Sequence, residues 1–196
     1  MSVGYWWLQA VVPDSQLRAL APSFEKALAT LRDDLPVLRR WNQNPDAIVS
    51  GPEVPNRQIY EFSDAFWTKE LQSFGEGLLE LPVGSPDLVA ADTVIPASIY
   101  WFALGPAGAS ELPGRLGAML IESAAVPAAR VALARVLKET GRALPFARAQ
   151  KFYNRATTHD EDPDRTIETV LGSLPRLLAT ASHRFSGVIT LSMGEP

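Results

Sequence analysis

The chain has no cysteine and only two histidines, His159 and His183. Without cysteine there is no disulfide, no thiolate zinc site and no cysteine nucleophile, which fits a cytosolic protein. No apolar run approaches the ~18 uninterrupted residues a membrane span needs. The first residues carry no basic segment ahead of an apolar core, so no secretory signal is expected. Gly-x-Gly-x-x-Gly, the Walker loop, the Gly-x-Ser-x-Gly elbow and His-Glu-x-x-His are all missing. Ser23-Phe24-Glu25-Lys26 spells Ser-x-x-Lys, but the companion motifs of that arrangement are absent. No residue is therefore nominated as catalytic or metal-binding, and no cofactor is expected. Paired carboxylates leave no local signature, so enzyme chemistry stays open as an alternative.

What is present describes a globular protein of 196 residues, with 46% hydrophobic and 20% charged residues. That length suits one domain, residues 1–196, burying roughly 70% of the surface its unfolded form exposes. The net charge of −4 conceals an asymmetry. Glu53 to Asp92 holds eight acids and two bases, whereas Arg130 to Arg155 holds seven bases and one acid. Opposed blocks of this kind face one another within a domain or present a polarised surface to a charged partner.

Three apolar runs read as strands. Gly4-Tyr5-Trp6-Trp7-Leu8-Gln9-Ala10-Val11-Val12 has aromatics on both alternating faces, which predicts an inner strand covered on both sides. Ala97 to Leu104, closed by Gly105-Pro106, is the densest aromatic and β-branched run and reads as a fully buried central strand. Gly187 to Met193 gives a third. Gln58-Ile59-Tyr60-Glu61-Phe62 alternates and predicts a half-exposed edge strand.

The remainder reads mostly as helix. Pro13-Asp14-Ser15 supplies an N-cap, and Leu17, Leu20, Phe24, Ala27, Leu28, Leu31 and Leu35 recur at helical spacing, interrupted by Pro22. Trp41 packs under the end of that helix, and Asn42 to Asn56 reads as a long surface loop. Ser63 caps a helix with Phe66, Trp67, Leu71, Phe74 and Leu78 inward, followed by a turn-rich connector at 81–87. Ser110 caps another through Leu116 and Met119 to Ile121. After Pro127, Ala128 to Thr140 places Val131, Ala134 and Leu137 inward and Arg130, Arg135 and Lys138 outward. Asp162-Pro163 pairs an N-cap with proline in the first helical turn, opening a helix through Ile167, Val170, Leu171, Leu174 and Leu177. The fold class expected is α+β, a single antiparallel or mixed sheet of about four strands with helices packed against it.

Two segments have a chemical reading beside the structural one. Arg142 to Arg155 interleaves Phe146, Phe152 and Tyr153 with bases, but an acidic chain argues against nucleic acid. Thr157 to Asp164 offers His159, Asp160, Glu161, Asp162 and Asp164, hard ligands of the kind magnesium or calcium takes. It lacks the Asp-x-Asp-x-Asp-Gly register, and helix capping and solvation account for the same residues.

The aromatic opening strand at Tyr5-Trp6-Trp7, the long helix after it and Trp41 just beyond resemble the layout of immunity proteins of bacterial polymorphic and type VI secretion toxins. The resemblance covers the first quarter of the chain. It implies a cytoplasmic, non-enzymatic protein that neutralises one cognate toxin by direct contact. The acidic block then suits a basic nuclease-type toxin domain, with Glu53, Glu61, Asp64, Glu70, Glu76, Glu80, Asp160 and Glu161 as the candidate partner-binding residues. The alternative is a small-molecule-binding enzyme or sensor, with Tyr5, Trp7, Tyr100 or Trp101 lining a pocket. A self-associating assembly subunit is a third reading. No membrane partner is expected.

Overall fold

Strand β1 (Tyr5–Val12) forms the middle of the protein, and the chain's last strand, β4 (Gly187–Gly194), lies antiparallel beside it along its whole length, from Tyr5 opposite Gly194 to Val12 opposite Gly187. A computed structural model describes residues 4–50, 56–81, 86–141, 143–157, 160 and 162–194. Two shorter strands, β2 (Asp87–Ala91) and β3 (Met119–Ile121), complete a four-stranded antiparallel sheet of order β2-β1-β4-β3. Around it lie helices α1 (Asp14–Leu28), α2 (Pro36–Gln43), α3 (Asp46–Val49), α4 (Arg57–Asp64), α5 (Lys69–Leu79), α6 (Pro96–Ser110), α7 (Val126–Thr140), α8 (Ala143–Ala156) and α9 (Pro163–Arg184). The fold is α+β.

Strand parity decides which helices cover which face. Leu8, Leu191 and Met193 point toward α1 and α5, where Gly75 sits against Leu191 and Met193 and Phe24 meets Phe74 at 5.5 Å. Trp7 and Gln9 point the other way, toward α6 and α9. Trp7 lies 5.5 Å from Tyr100 and 6.1 Å from Trp101, and the Gln9 amide donates to Ser173 Oγ at 2.9 Å. Every residue of β4 is buried. This double cover is what the aromatics on both faces of β1 predict. A second aromatic hub joins the helices: Phe62 contacts Trp41, Phe66, Phe102 and Phe152 at 5.2–5.9 Å, so α2, α4, α6 and α8 share one core.

Several sequence expectations are corrected. The run Ala97–Leu104 is not a strand but the body of α6, buried on all sides. A continuous apolar run has no period, so a wholly buried helix and a wholly buried strand read alike. Pro96 in the first turn and Gly105, whose φ of 73° interrupts the helix before Pro106, bound it. Gln58–Phe62 is likewise helical. Asn56 Oδ1 accepts from Gln58 N, its amide donates to the Ile48 carbonyl, and Ile59, Phe62 and Ser63 are buried at helical spacing. The sheet instead recruits Asp87–Ala91, which starts at the last residue of the expected connector, and Met119–Ile121 from an expected helix.

Smaller corrections follow the same logic. Residues 42–50 are not loop but the end of α2 and the short α3, which buries Ile48 and Val49; 51–55 lie outside the described residues. Helix α1 runs through Pro22 unbroken and ends at Leu28, well short of Leu35. Asp14 does not cap it; its carboxylate accepts from Ser123 N and Oγ, tying α1 to the 3₁₀ turn Ser123–Ala125. Thr68, not Ser63, caps α5, accepting from Leu71 N at 3.2 Å, while Ser63 Oγ accepts from Ile95 N. Ser110 ends α6 rather than opening a helix. In α7 the buried residues are Val126, Ala129, Leu133 and Val136, and Val131 stands 70% exposed. Asp162 caps α9 as expected, accepting from Arg165 N, with Pro163 in the first turn.

Candidate functional site

Five of the candidate carboxylates fall within one stretch of the chain, residues 56–81. Glu61 and Asp64 lie on α4, Glu70 and Glu76 on α5, and Glu80 directly after it, all exposed. Arg57 and Lys69 are the bases of that stretch, and two more stand beside it in space: Arg40 donates to Gln58, and Lys26 lines a hollow with Lys69 and Glu70. Arg57 is already engaged with Glu61 at 2.8 Å, one turn away. Glu53 and Glu161 lie outside the described residues.

A large aromatic is fixed among these acids. Trp67 is 39% exposed, although the sequence places it inward with Phe66. Its indole N–H donates to Gln72 Oε1 at 3.2 Å, and the same oxygen accepts from Gly194 N, at the end of β4, at 2.8 Å. The Gln72 amide nitrogen donates onward to Glu76 at 2.9 Å. Gln72 is itself 8% exposed, so one buried amide ties Trp67, Glu76 and the sheet together. Nothing in the sequence singles out Gln72, because its role needs β4, more than a hundred residues downstream.

Tyr5 extends the cluster. A Cβ placed on Gly194 would lie 3.6 Å from the Tyr5 ring and 3.9 Å from the Trp67 indole nitrogen, so both aromatics flank the end of β4. Burial first, then the Asp64 carboxylate and Tyr60, push the Tyr5 phenol above its ordinary value. The Asp64 carboxyl is raised by desolvation and then by Glu61. Desolvated carboxylates beside aromatic rings favour a cation as neighbour, through charge and the ring quadrupole together.

Asp160 has a different task. It accepts from the Tyr153 hydroxyl at 2.7 Å, from Thr166 Oγ1 at 3.0 Å and from Asp162 N at 2.8 Å, which ties α8 to the start of α9. Desolvation pushes its pKa up, but these three bonds outweigh that and hold it below the ordinary carboxylate range. Among the described residues no group of three acids or histidines could hold a metal ion; His159 is not among them. Trp7, Tyr100 and Trp101 pack against one another in the core, while Tyr5 stands half-buried at its edge. Among the described residues no helix is long and apolar enough to cross a membrane. No protein-family model, curated protein or solved structure matches this chain.

Proposed function

We propose that this chain is a non-enzymatic binding protein of the immunity type, which neutralises a cognate bacterial toxin in the cytoplasm by direct contact. The observation that carries the reading is Trp67, exposed within the acidic stretch that spans α4 and α5 and tied to Glu76 through Gln72. An exposed, immobilised tryptophan in an acidic segment has the composition of an interface anchor. The carboxylates steer a basic partner, such as a nuclease-type toxin domain, and the indole fills a pocket or stacks on an arginine once docked. Glu70, Glu76 and Glu80 lie at the rim and act mainly on association rate and salt dependence.

The test is a pull-down of tagged protein from its own organism, followed by mass spectrometry. Recovery of one stoichiometric partner, encoded beside it and toxic when expressed alone, is the expected result. Trp67→Ala then weakens that complex at least tenfold, and Glu70→Lys with Glu76→Lys slows association and flattens its salt dependence. Recovery of the protein alone as a monomer, or rescue from the toxin undiminished by these three substitutions, would refute the reading.

A further inference from the structure

Helix α7 carries more apolar surface than the core uses. Val126, Ala129, Leu133 and Val136 face inward. A second stripe, Pro127, Val131, Ala134 and Leu137, follows the same helical spacing on the neighbouring face, and Val131 is the most exposed aliphatic side chain in the described structure. Together with Pro175 of α9 this stripe walls a groove of ≈ 430 Å³, floored by Leu133 and Leu178. The stripe runs about 15 Å along α7, the length of three helical turns.

Charge at the groove is of one sign. Arg130 lines it and crosses to α9, donating to Ser182 Oγ at 2.9 Å. Lys138 follows Leu137, one turn beyond Ala134, whereas the Arg176 guanidinium turns back along α9 to Gly172 and the Thr169 carbonyl. Among the described residues, none of Arg130, Lys138 and Arg176 is ion-paired; Arg135, by contrast, is held by Glu111. From residue 171 to 184, α9 carries Arg176 and Arg184 and no acid. Arg130, with Lys138 beside the stripe, thus gives the apolar trough a positive bias in a protein whose overall charge is −4.

We infer that this trough is a second protein-docking site, whose occupant is an amphipathic helix with leucine-like anchors on one face and Asp or Glu on its flanks. Two packed helices leave a furrow shaped for a third. The recessed floor accepts side chains at i, i+3, i+4 and i+7, whereas a planar bilayer would touch only the rim. Acidic flanks complement Arg130 and Lys138 and set the orientation of the docked helix. The site is separate from the acidic stretch of α4 and α5 and selects for the opposite charge, so it serves a different partner.

The experiment uses the full chain and a fluorescein-labelled peptide of about four helical turns, with leucines at that spacing and glutamates elsewhere. Two controls carry lysine in place of glutamate, or the same composition with the leucines off period. The expected result by anisotropy is saturable binding of the acidic peptide, at least tenfold tighter than either control. Val131→Glu, which places a like charge at the groove mouth, weakens it about tenfold, and Arg130→Glu does the same. Val131→Ser gives a smaller loss without adding charge, and circular dichroism confirms that all three variants remain folded. Equal binding of the controls, or insensitivity to Val131→Glu, overturns the inference. So does Val131-dependent binding of phosphatidylglycerol vesicles, or Val131-dependent dimerisation in the ultracentrifuge, without preference for the acidic peptide.

Discussion

Gly75 and Gly77 stand two residues apart on α5, the helix that presents Glu70 and Glu76 and, through Gln72, holds Trp67, and their surroundings differ sharply. A Cβ at Gly77 meets nothing within 4 Å. A Cβ at Gly75 would lie 2.7 Å from Leu191 Cδ1 and 2.8 Å from Met193 Sδ, on the face where α5 rests on β4. Glycine in a helix interior costs about 0.5–1 kcal/mol relative to alanine. Gly77→Ala therefore stabilises the protein by about that amount, raising Tm by ~2–4 °C per kcal/mol for a chain of this size. Gly75→Ala has the same helical gain, but Leu191 and Met193 must each retreat by about an ångström to reach the usual ~3.5–4 Å contact. Overpacking of this kind costs about 1–3 kcal/mol. The two variants should thus differ by about 1–3 kcal/mol, with Gly75→Ala the less stable. Urea titration followed by fluorescence of the five tryptophans reads the difference directly. Met193 is a flexible side chain, so Gly75→Ala combined with Met193→Ala should be more stable than the sum of the two single changes. If Gly75→Ala proves as stable as Gly77→Ala, α5 does not rest on the sheet as described, and the placement of Trp67 falls with it.

Two further predictions concern buried hydroxyl groups. The Tyr100 hydroxyl is buried without a hydrogen-bond partner among the described residues, and burial drives its pKa far above the ordinary phenol value. Tyr100→Phe removes an unsatisfied polar group and should raise stability by about 1 kcal/mol in thermal melts; a loss instead would mean the hydroxyl is bonded. Asp160→Ala should cost about 1–3 kcal/mol, because the Tyr153 hydroxyl loses its acceptor in the core, and Asp160→Asn should cost less. The carboxyl's folded pKa lies below its unfolded value, so its stabilisation is complete above the unfolded value of about 4 and is lost as pH falls through the folded one. In acid the gap between wild type and Asp160→Asn should therefore close, which denaturation at a series of pH values from neutral downward would measure.

The outer strands of the chain and its last helix were legible because local chemistry and tertiary context agree there. Tyr5–Val12 and Gly187–Gly194 are β-rich runs bounded by glycine or proline, and Asp162-Pro163 is a helix start that needs no distant partner. Composition alone also marked the acidic block. Where periodicity is absent or too short, residue order is silent: Ala97–Leu104 became a helix because burial on every side suits either geometry, and Gln58–Phe62 became one because Asn56 caps it. The faces of α7 were misassigned for the same reason: Val131, Ala134 and Leu137, expected inward, repeat as regularly as Val126, Ala129, Leu133 and Val136, which are the buried ones. Only packing against α6, α8 and α9 selected which stripe is core and which is groove. The candidate site divides in the same way. Its carboxylates are a property of the sequence, but the exposure of Trp67 depends on Gln72 meeting Gly194, a contact between segments 122 positions apart that exists only after β1 and β4 have closed the sheet.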